Sequence, residues 1–265
     1  QRAPVGQAVT LLRQGATLWV GGHGLARQDS AGGEWHTIPL SAPAAEQPMV
    51  TALAAGPERG LWLGTVASGV CYLPAQGQVQ CLHEALPEGR INALASDGKN
   101  AVWVATDEGL GWVERDGESL HGKSEQNELL RRMPITALAR DEHEILWIGT
   151  RGAGLLRYDT RSHATRAAGN SSAGALESLG GGADPDPLHL IQLNGIGSAS
   201  LQKPAVIDSL AVGNDGQLYV RQADHLYDLN TQPTWTLTRL AVLTLLIGGL
   251  LVAILVTVLL GRYRL

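Results

Sequence analysis

The stretch ITALARDEHEILWIGTRGAGLLRYD, residues 135–159, decides the fold. It opens with a short apolar run, turns through a polar stretch, and enters a second run ending Leu146-Trp147-Ile148-Gly149-Thr150. A Gly-bearing turn follows, then a third run with the form Gly-Leu-x-x-Tyr. Each run is too short for a helix and is punctuated by turn-forming residues, so the segment predicts three antiparallel strands.

The same unit recurs along the chain. ATLWVGGHGLARQD from Ala16, GLWLGTVASGVCYLP from Gly60 and AVWVATDEGLGWVERD from Ala101 align with ILWIGTRGAGLLRYD from Ile145, and QLYVRQADHLYDL from Gln217 fits with a tyrosine at the anchor. The anchors Trp19, Trp62, Trp103 and Trp147 are 41 to 44 residues apart, and Tyr219 follows after 72. Upstream partners are VTLLRQG at Val9, VTALAAG at Val50, INALASDG at Ile91, ITALARDE at Ile135 and IDSLAVGNDG at Ile207. A variable fourth segment follows each unit, such as EWHTIPL or QVQCLHE. Four short strands in about 42 residues make one propeller blade. The chain is therefore expected to be all-β, a propeller of five or six four-stranded blades over residues 9–230. Alternation within the strands is imperfect, as expected where both faces of a blade are covered by its neighbours. The anchor aromatic is expected to wedge between adjacent blades, and the glycine after it to permit a close backbone approach.

The interval between Trp147 and Tyr219 exceeds one blade. It holds the Gly/Ala/Ser/Asp-rich loop AAGNSSAGALESLGGGADPDP (167–187), then LHLIQLNGIGSASLQ, which is expected to supply strands of a worn sixth blade. Five blades plus an insertion is the alternative.

From Leu240 to Leu260 the chain reads LAVLTLLIGGLLVAILVTVLL without a charge. Twenty-one residues at about 1.5 Å each match the roughly 30 Å hydrocarbon core of a bilayer, so this run is expected to span a membrane. Residues 1–8 precede the propeller and 231–239 link it to the span. Two arginines in the tail 261–265 place that tail in the cytoplasm and the propeller outside, by the excess of positive charge on the inner side. Thr244 with Gly248, and Gly249 with Ala253, form small-residue pairs that would let another helix approach. Gln1 in place of Met agrees with removal of a secretory signal or with a late start.

The chain's two cysteines, Cys71 and Cys81, are symmetric about Gln76 in GVCYLPAQGQVQCLHE. A hairpin turning near Ala75-Gln76-Gly77 sets them opposite each other at disulfide distance, with two buried free thiols as the alternative. A disulfide implies an oxidising compartment such as a periplasm.

Composition narrows the function classes. A net charge of −5 recommends no nucleic-acid partner. Eight histidines, at 23, 36, 83, 121, 143, 163, 189 and 225, show no HxH or HExxH spacing, and there is no CxxC, so no metal or other cofactor is expected. No Gly-x-Ser-x-Gly elbow appears. SDGKNAVW (96–103) and NDGQLYV (214–220) superficially resemble the Asp-box of sialidase-like propellers with the wrong spacing. Asp97 and Asp215 read instead as turn residues ahead of glycine. A catalytic role is therefore not expected. The turns after the anchor strands, Gly21–Gly24, Val66–Gly69, Asp107–Gly109, Arg151–Gly154 and Gln222–His225, would line one end of a propeller's channel. Their polar side chains His23, Asp107, Arg151, Asp224 and His225 are candidates for a ligand or partner rim. Their mixed signs single out no one charged ligand, and a merely solvated rim is the alternative.

The pattern I-x-x-L-x-x-D-x-x-G-x-L-W-I-G-T-x-x-G-L-x-x-Y resembles the two-component regulator propeller repeat, best in residues 135–159 and 207–229, then in 50–73 and 91–115. The resemblance implies an extracytoplasmic sensor propeller of the kind carried by bacterial hybrid histidine kinases. In those kinases a β-sandwich, a membrane helix, and kinase and response domains follow. Here the apolar run begins about a dozen residues after Tyr227-Asp228-Leu229, and five residues lie beyond it. Two functions are expected. The first is a non-catalytic accessory or scaffolding subunit of a larger bacterial inner-membrane complex, an energy-converting one being one such host, docked through the propeller surface and the helix in the lipid bilayer. The alternative is an extracytoplasmic ligand-sensing module signalling through a separate kinase partner.

Overall fold

The computed structural model describes residues 3–40, 47–125, 130–160, 188–191, 206–213, 216–223 and 225–230. Five antiparallel sheets follow one another along the chain, one per repeat. The first holds β1 (Gly6–Gln14), β2 (Thr17–Gln28) and β3 (Trp35–Ile38). The second holds β4 (Val50–Ala55), β5 (Leu61–Thr65), β6 (Val70–Leu73) and β7 (Gln80–Leu82). The third holds β8 (Ile91–Ser96), β9 (Ala101–Thr106), β10 (Gly109–Asp116) and β11 (Ser119–Ser124). The fourth holds β12 (Ile135–Arg140), β13 (Ile145–Thr150), β14 (Leu155–Asp159) and β15 (Leu188–Ile191). The fifth holds β16 (Ser209–Val212), β17 (Gln217–Gln222) and β18 (His225–Asn230).

The first blade is four-stranded as well. A straight strand of the 12 residues in β2 would hold its ends almost 40 Å apart at about 3.3 Å per residue. Yet the Thr17 hydroxyl donates to Asp29 at 3.5 Å, and the Arg27 guanidinium lies 5.9 Å from the Trp19 ring. The run therefore folds back on itself at His23-Gly24, where Gly24 takes φ +94°.

Among the described residues, the sixth blade expected from LHLIQLN is not formed. Leu188–Ile191 pair with β14 as the outer strand of the fourth blade, with Leu156 opposite Leu190. The fourth blade thus contains the long interval as an insertion between its third and fourth strands, and the count is five. The loop 167–187, Asp215, Asp224, the run 240–260 and its pairs Thr244/Gly248 and Gly249/Ala253 lie outside the described residues. Among the described residues, no helix is long and apolar enough to cross a membrane.

The core is a series of seams between blades. Trp19 packs with Val50, Leu61 and Leu63 of the second blade, and Trp62 with Ile91, Val102 and Val104 of the third. Trp103 packs with Leu138, Leu146 and Tyr158 of the fourth, and Trp147 with Ile207, Leu218 and Val220 of the fifth. Each anchor thus reaches forward into the next blade, burying both faces of the three inner blades. Glycine permits the approach: a Cβ on Gly64 would lie 2.5 Å from Ile91 Cγ2, and one on Gly149 would lie 2.7 Å from Ile207 Cγ2. Among the described residues, no such cluster joins the fifth blade to the first. Val9 and Leu11 are exposed on the first blade's outer side, where Ala3 and Val5 cover Val20 and Ala26.

Polar struts accompany the seams. Each inner first strand carries an irregularity after its opening residue, between Val50 and Ala52, Ile91 and Ala93, and Ile135 and Ala137. The extra residue turns its side chain toward the following blade. The Thr51 hydroxyl lies 2.6 Å from the Ile91 carbonyl and 3.2 Å from that of Gly64. The Thr136 hydroxyl sits between the carbonyls of Gly149 and Ile207. The Asn92 amide donates to the Ile135 carbonyl at 2.9 Å.

Candidate functional site

In a four-stranded antiparallel blade, the turns between second and third strands lie at the same end as the connections to the next blade. One residue type shapes three of these turns. The Thr65 hydroxyl donates to the Gly69 carbonyl at 3.0 Å and accepts from the Ser68 N–H at 2.8 Å. Thr106 does the same with Gly109 and Glu108, and Thr150 with Gly154 and Ala153. The glycine closing each turn takes positive φ, +68° at Gly69 and +77° at Gly154, where a side chain would be strained. The threonine that ends the second strand and the glycine three or four residues beyond it are thus a turn-building signature, and the threonine is satisfied within the turn.

The rim side chains behave differently from one another. His23 is exposed at the fold-back of β2 and pairs across to Met49 and Gly6. Arg151 is exposed, while its backbone N–H donates to the Pro134 carbonyl at 2.9 Å. His225 is exposed at the start of β18, opposite Gln222. Asp107 is half-buried, and its Oδ1 accepts from the Asn92 amide at 3.0 Å. Because Asn92 also reaches Ile135, Asp107 belongs to a blade-to-blade strut as well as to the rim.

Two cavities open at this end. One, of about 220 Å3, lies over the second and third blades against Thr65, Gly69, His83, Glu88 and Thr106. The other, of about 290 Å3, sets Glu88 and Glu108 against Arg131 and Arg132. Glu88, Arg131 and Arg132 come from the inter-blade connections, which carry no repeat pattern, so sequence reasoning missed them, while Glu108 sits in the Asp107–Gly109 turn that the sequence located. The strut residues Thr51, Asn92 and Thr136 had a signal that went unread: each is the polar second residue of an otherwise apolar first-strand motif. Among the described residues, no group of three or more His, Cys, Asp or Glu side chains could hold a metal ion.

Cys71 and Cys81 are joined in a disulfide across β6 and β7, with Cα atoms 4.0 Å apart and Tyr72 opposite Gln80. Tyr72 is fully buried against Trp62 and donates to the Pro57 carbonyl at 2.8 Å. Burial raises its phenol pKa, against the opposing pull of the Arg115 guanidinium, which lies 4.8 Å over the ring. Asp97 closes its turn by accepting from the N–H groups of Lys99 and Ala101.

Solved structures share this arrangement. The extracellular domain of a hybrid two component system from B. thetaiotaomicron is 18% identical, with 88% of this chain and 29% of that one covered and a TM-score of 0.61. The extracellular domain of a one component system from the same organism is 17% identical, covering 86% and 28%, with a TM-score of 0.58. A virginiamycin B lyase from Staphylococcus aureus is 9% identical, covering 88% and 73%, with a TM-score of 0.58. The likeness is one of fold. This chain spans less than a third of the length of the two sensor-system chains. Neither a protein-family model nor a curated protein matches it.

Proposed function

We propose that this chain is an extracytoplasmic ligand-sensing propeller, non-catalytic, anchored to a bacterial inner membrane through residues 240–260 and signalling through a separate kinase partner. The observation that carries this reading is the likeness of its fold to extracellular domains of bacterial one- and two-component systems, over 86% and 88% of the chain. The Cys71–Cys81 disulfide supports the location, because such bonds persist in oxidising compartments. The propeller repeat in the sequence supports it independently. These findings favour the sensing role over the accessory-subunit role, for which neither the fold nor the neighbours supply an observation. A lyase shares the fold, and fold does not assign chemistry. The 290 Å3 cavity, with the carboxylates of Glu88 and Glu108 facing the guanidiniums of Arg131 and Arg132, fits a neutral polar or zwitterionic ligand better than a highly charged one.

Thermal-shift screening of the full 265-residue chain against glycans and peptides tests the reading. A saturable stabilisation lost on substituting Arg132 or Glu108 supports it. No stabilisation across the panel, together with recovery of the chain in a stoichiometric membrane complex lacking a kinase, would replace it with the accessory-subunit role.

A further inference from the structure

At the opposite end of the blades, a cavity of about 670 Å3 opens in the seam between the first and second. That volume lies within the roughly 300–1,000 Å3 typical of small-molecule sites. Trp19, Leu61, Leu73 and Pro74 form its apolar wall, and Arg27 and Arg59 its charged edge. Among the described residues, no aspartate or glutamate lines it.

Trp19 is 6% exposed, and its indole Nε1–H is buried without a hydrogen-bond partner. The Trp62 indole of the second blade is likewise buried without a partner, Gly56 standing two residues beyond its opposite Ala54, whereas the fourth blade shows how the position can be filled. There the Asp141 carboxylate accepts from the Trp147 indole at 2.9 Å. Asp141 stands two residues beyond Ala139, which pairs with Trp147. The first-blade equivalent, two residues beyond Leu12 opposite Trp19, is Gln14. Its amide is turned away, donating to the Gly60 carbonyl at 3.2 Å. The turn Gln14–Thr17 lines the cavity, so the missing carboxylate would lie on the cavity's side of the indole.

The surroundings are cationic. Arg27 lies over the Trp19 ring and shares Asp29 at 3.5 Å in an exposed pair of little strength. Arg59 has no acidic partner among the described residues. It follows Glu58 in a pair of successive left-handed residues, at φ +62° and +52°. Such conformations cost energy in non-glycine residues and gather at functional sites. Glu58 is drawn off toward Arg115 at 3.3 Å, leaving Arg59 at the cavity edge.

We propose that this cavity binds a small organic carboxylate with an apolar body. Its carboxylate takes the place that Asp141 occupies in the fourth blade, accepting from the Trp19 indole with Arg59 and Arg27 beside it. Its apolar part rests on Leu61, Leu73 and Pro74. This site is separate from the rim cavities and does not depend on the sensing role.

The test follows the tryptophan indole N–H resonances of the 15N-labelled full chain on titration with benzoate and with hexanoate. Benzamide and hexanamide are the neutral counterparts, and the two carboxylates separate an aromatic from an aliphatic source. One indole resonance, assigned through Trp19→Phe, is expected to shift saturably with at least one carboxylate and not with its neutral counterpart. Arg59→Ala is expected to weaken that binding about tenfold. Gln14→Asp supplies the carboxylate from within, so it should raise the melting temperature and abolish probe binding. This variant also identifies the resonance should Trp19→Phe not fold. Absence of any carboxylate-specific shift, or undiminished binding in Gln14→Asp, overturns the proposal.

Discussion

Asp141 offers the sharpest test of how a blade is held. It is 4% exposed, and its carboxylate accepts three hydrogen bonds: from the backbone N–H groups of His143 at 2.9 Å and Ile145 at 3.0 Å, and from the Trp147 indole at 2.9 Å. Asp141→Ala leaves all three donors without this partner. A buried donor left unsatisfied costs about 1–3 kcal/mol, and bonds to charged groups lie toward the upper end. The His143 N–H sits at the open side of the turn and recovers part of its cost from water. The Ile145 and Trp147 donors, in a buried strand, do not. The expected loss is therefore about 3–5 kcal/mol, a large share of the roughly 5–15 kcal/mol that holds a typical domain folded. Urea unfolding of the full chain, followed by tryptophan fluorescence, measures it. Asp141→Asn isolates the indole bond, because the amide keeps an acceptor for the backbone but turns an N–H toward Trp147. A double-mutant cycle of Asp141→Asn with Trp147→Phe should return a coupling of about 1.5–3 kcal/mol. A loss below about 1 kcal/mol for Asp141→Ala, or a coupling near zero, would refute the view that this carboxylate fastens the turn to the seam.

Other consequences are as direct. Gly64→Ala should destabilise by about 1–3 kcal/mol through overpacking against Ile91, and Ile91→Ala in the same chain should relieve part of that loss, as read by thermal unfolding. Replacing Cys71 and Cys81 together with alanine opens a loop of sequence separation 10 and should cost about 2–3 kcal/mol in urea unfolding under non-reducing conditions, a difference that a reductant erases. The raised phenol pKa of Tyr72 means that the unfolded chain releases this proton first as pH climbs. Its contribution is therefore complete below about pH 10 and declines above it, so Tyr72→Phe should flatten the alkaline limb of a stability–pH curve. An unchanged limb would mean that other groups govern alkaline unfolding.

Much of the architecture was legible because each blade repeats the same local problem. The five anchors lie on second strands, and four of them enter the seam to the next blade, as a wedge aromatic does. Cys71 and Cys81 were readable from symmetry alone, since a hairpin pairs residues equidistant from its turn. The sixth blade was misread for a physical reason. Leu-His-Leu-Ile is a good strand by composition, but composition carries no information about which edge it joins. The open edge of β14 captured it across a long insertion, because an outer strand needs only a free ladder beside it.

The candidate sites were less legible than the fold. His23, Asp107, Arg151 and His225 lie in or beside the turns at one end of the blades, yet Glu88, Arg131 and Arg132, which line the rim cavities, come from connections without periodicity. The Trp19 cavity could be recognised only by setting one blade on another and finding Gln14 where Asp141 stands.

By itself, the sequence determined the repeat, the strand order within a blade and the placing of Cys71 opposite Cys81. These follow from spacing between near neighbours, which short strands and tight turns convert directly into contacts. Only the tertiary structure decided the blade count, the strut from Asn92 to Asp107 and Ile135, and the unpartnered Trp19 indole in the wall of a cavity. Each of those depends on what a second blade brings to the first, across separations that no local pattern encodes.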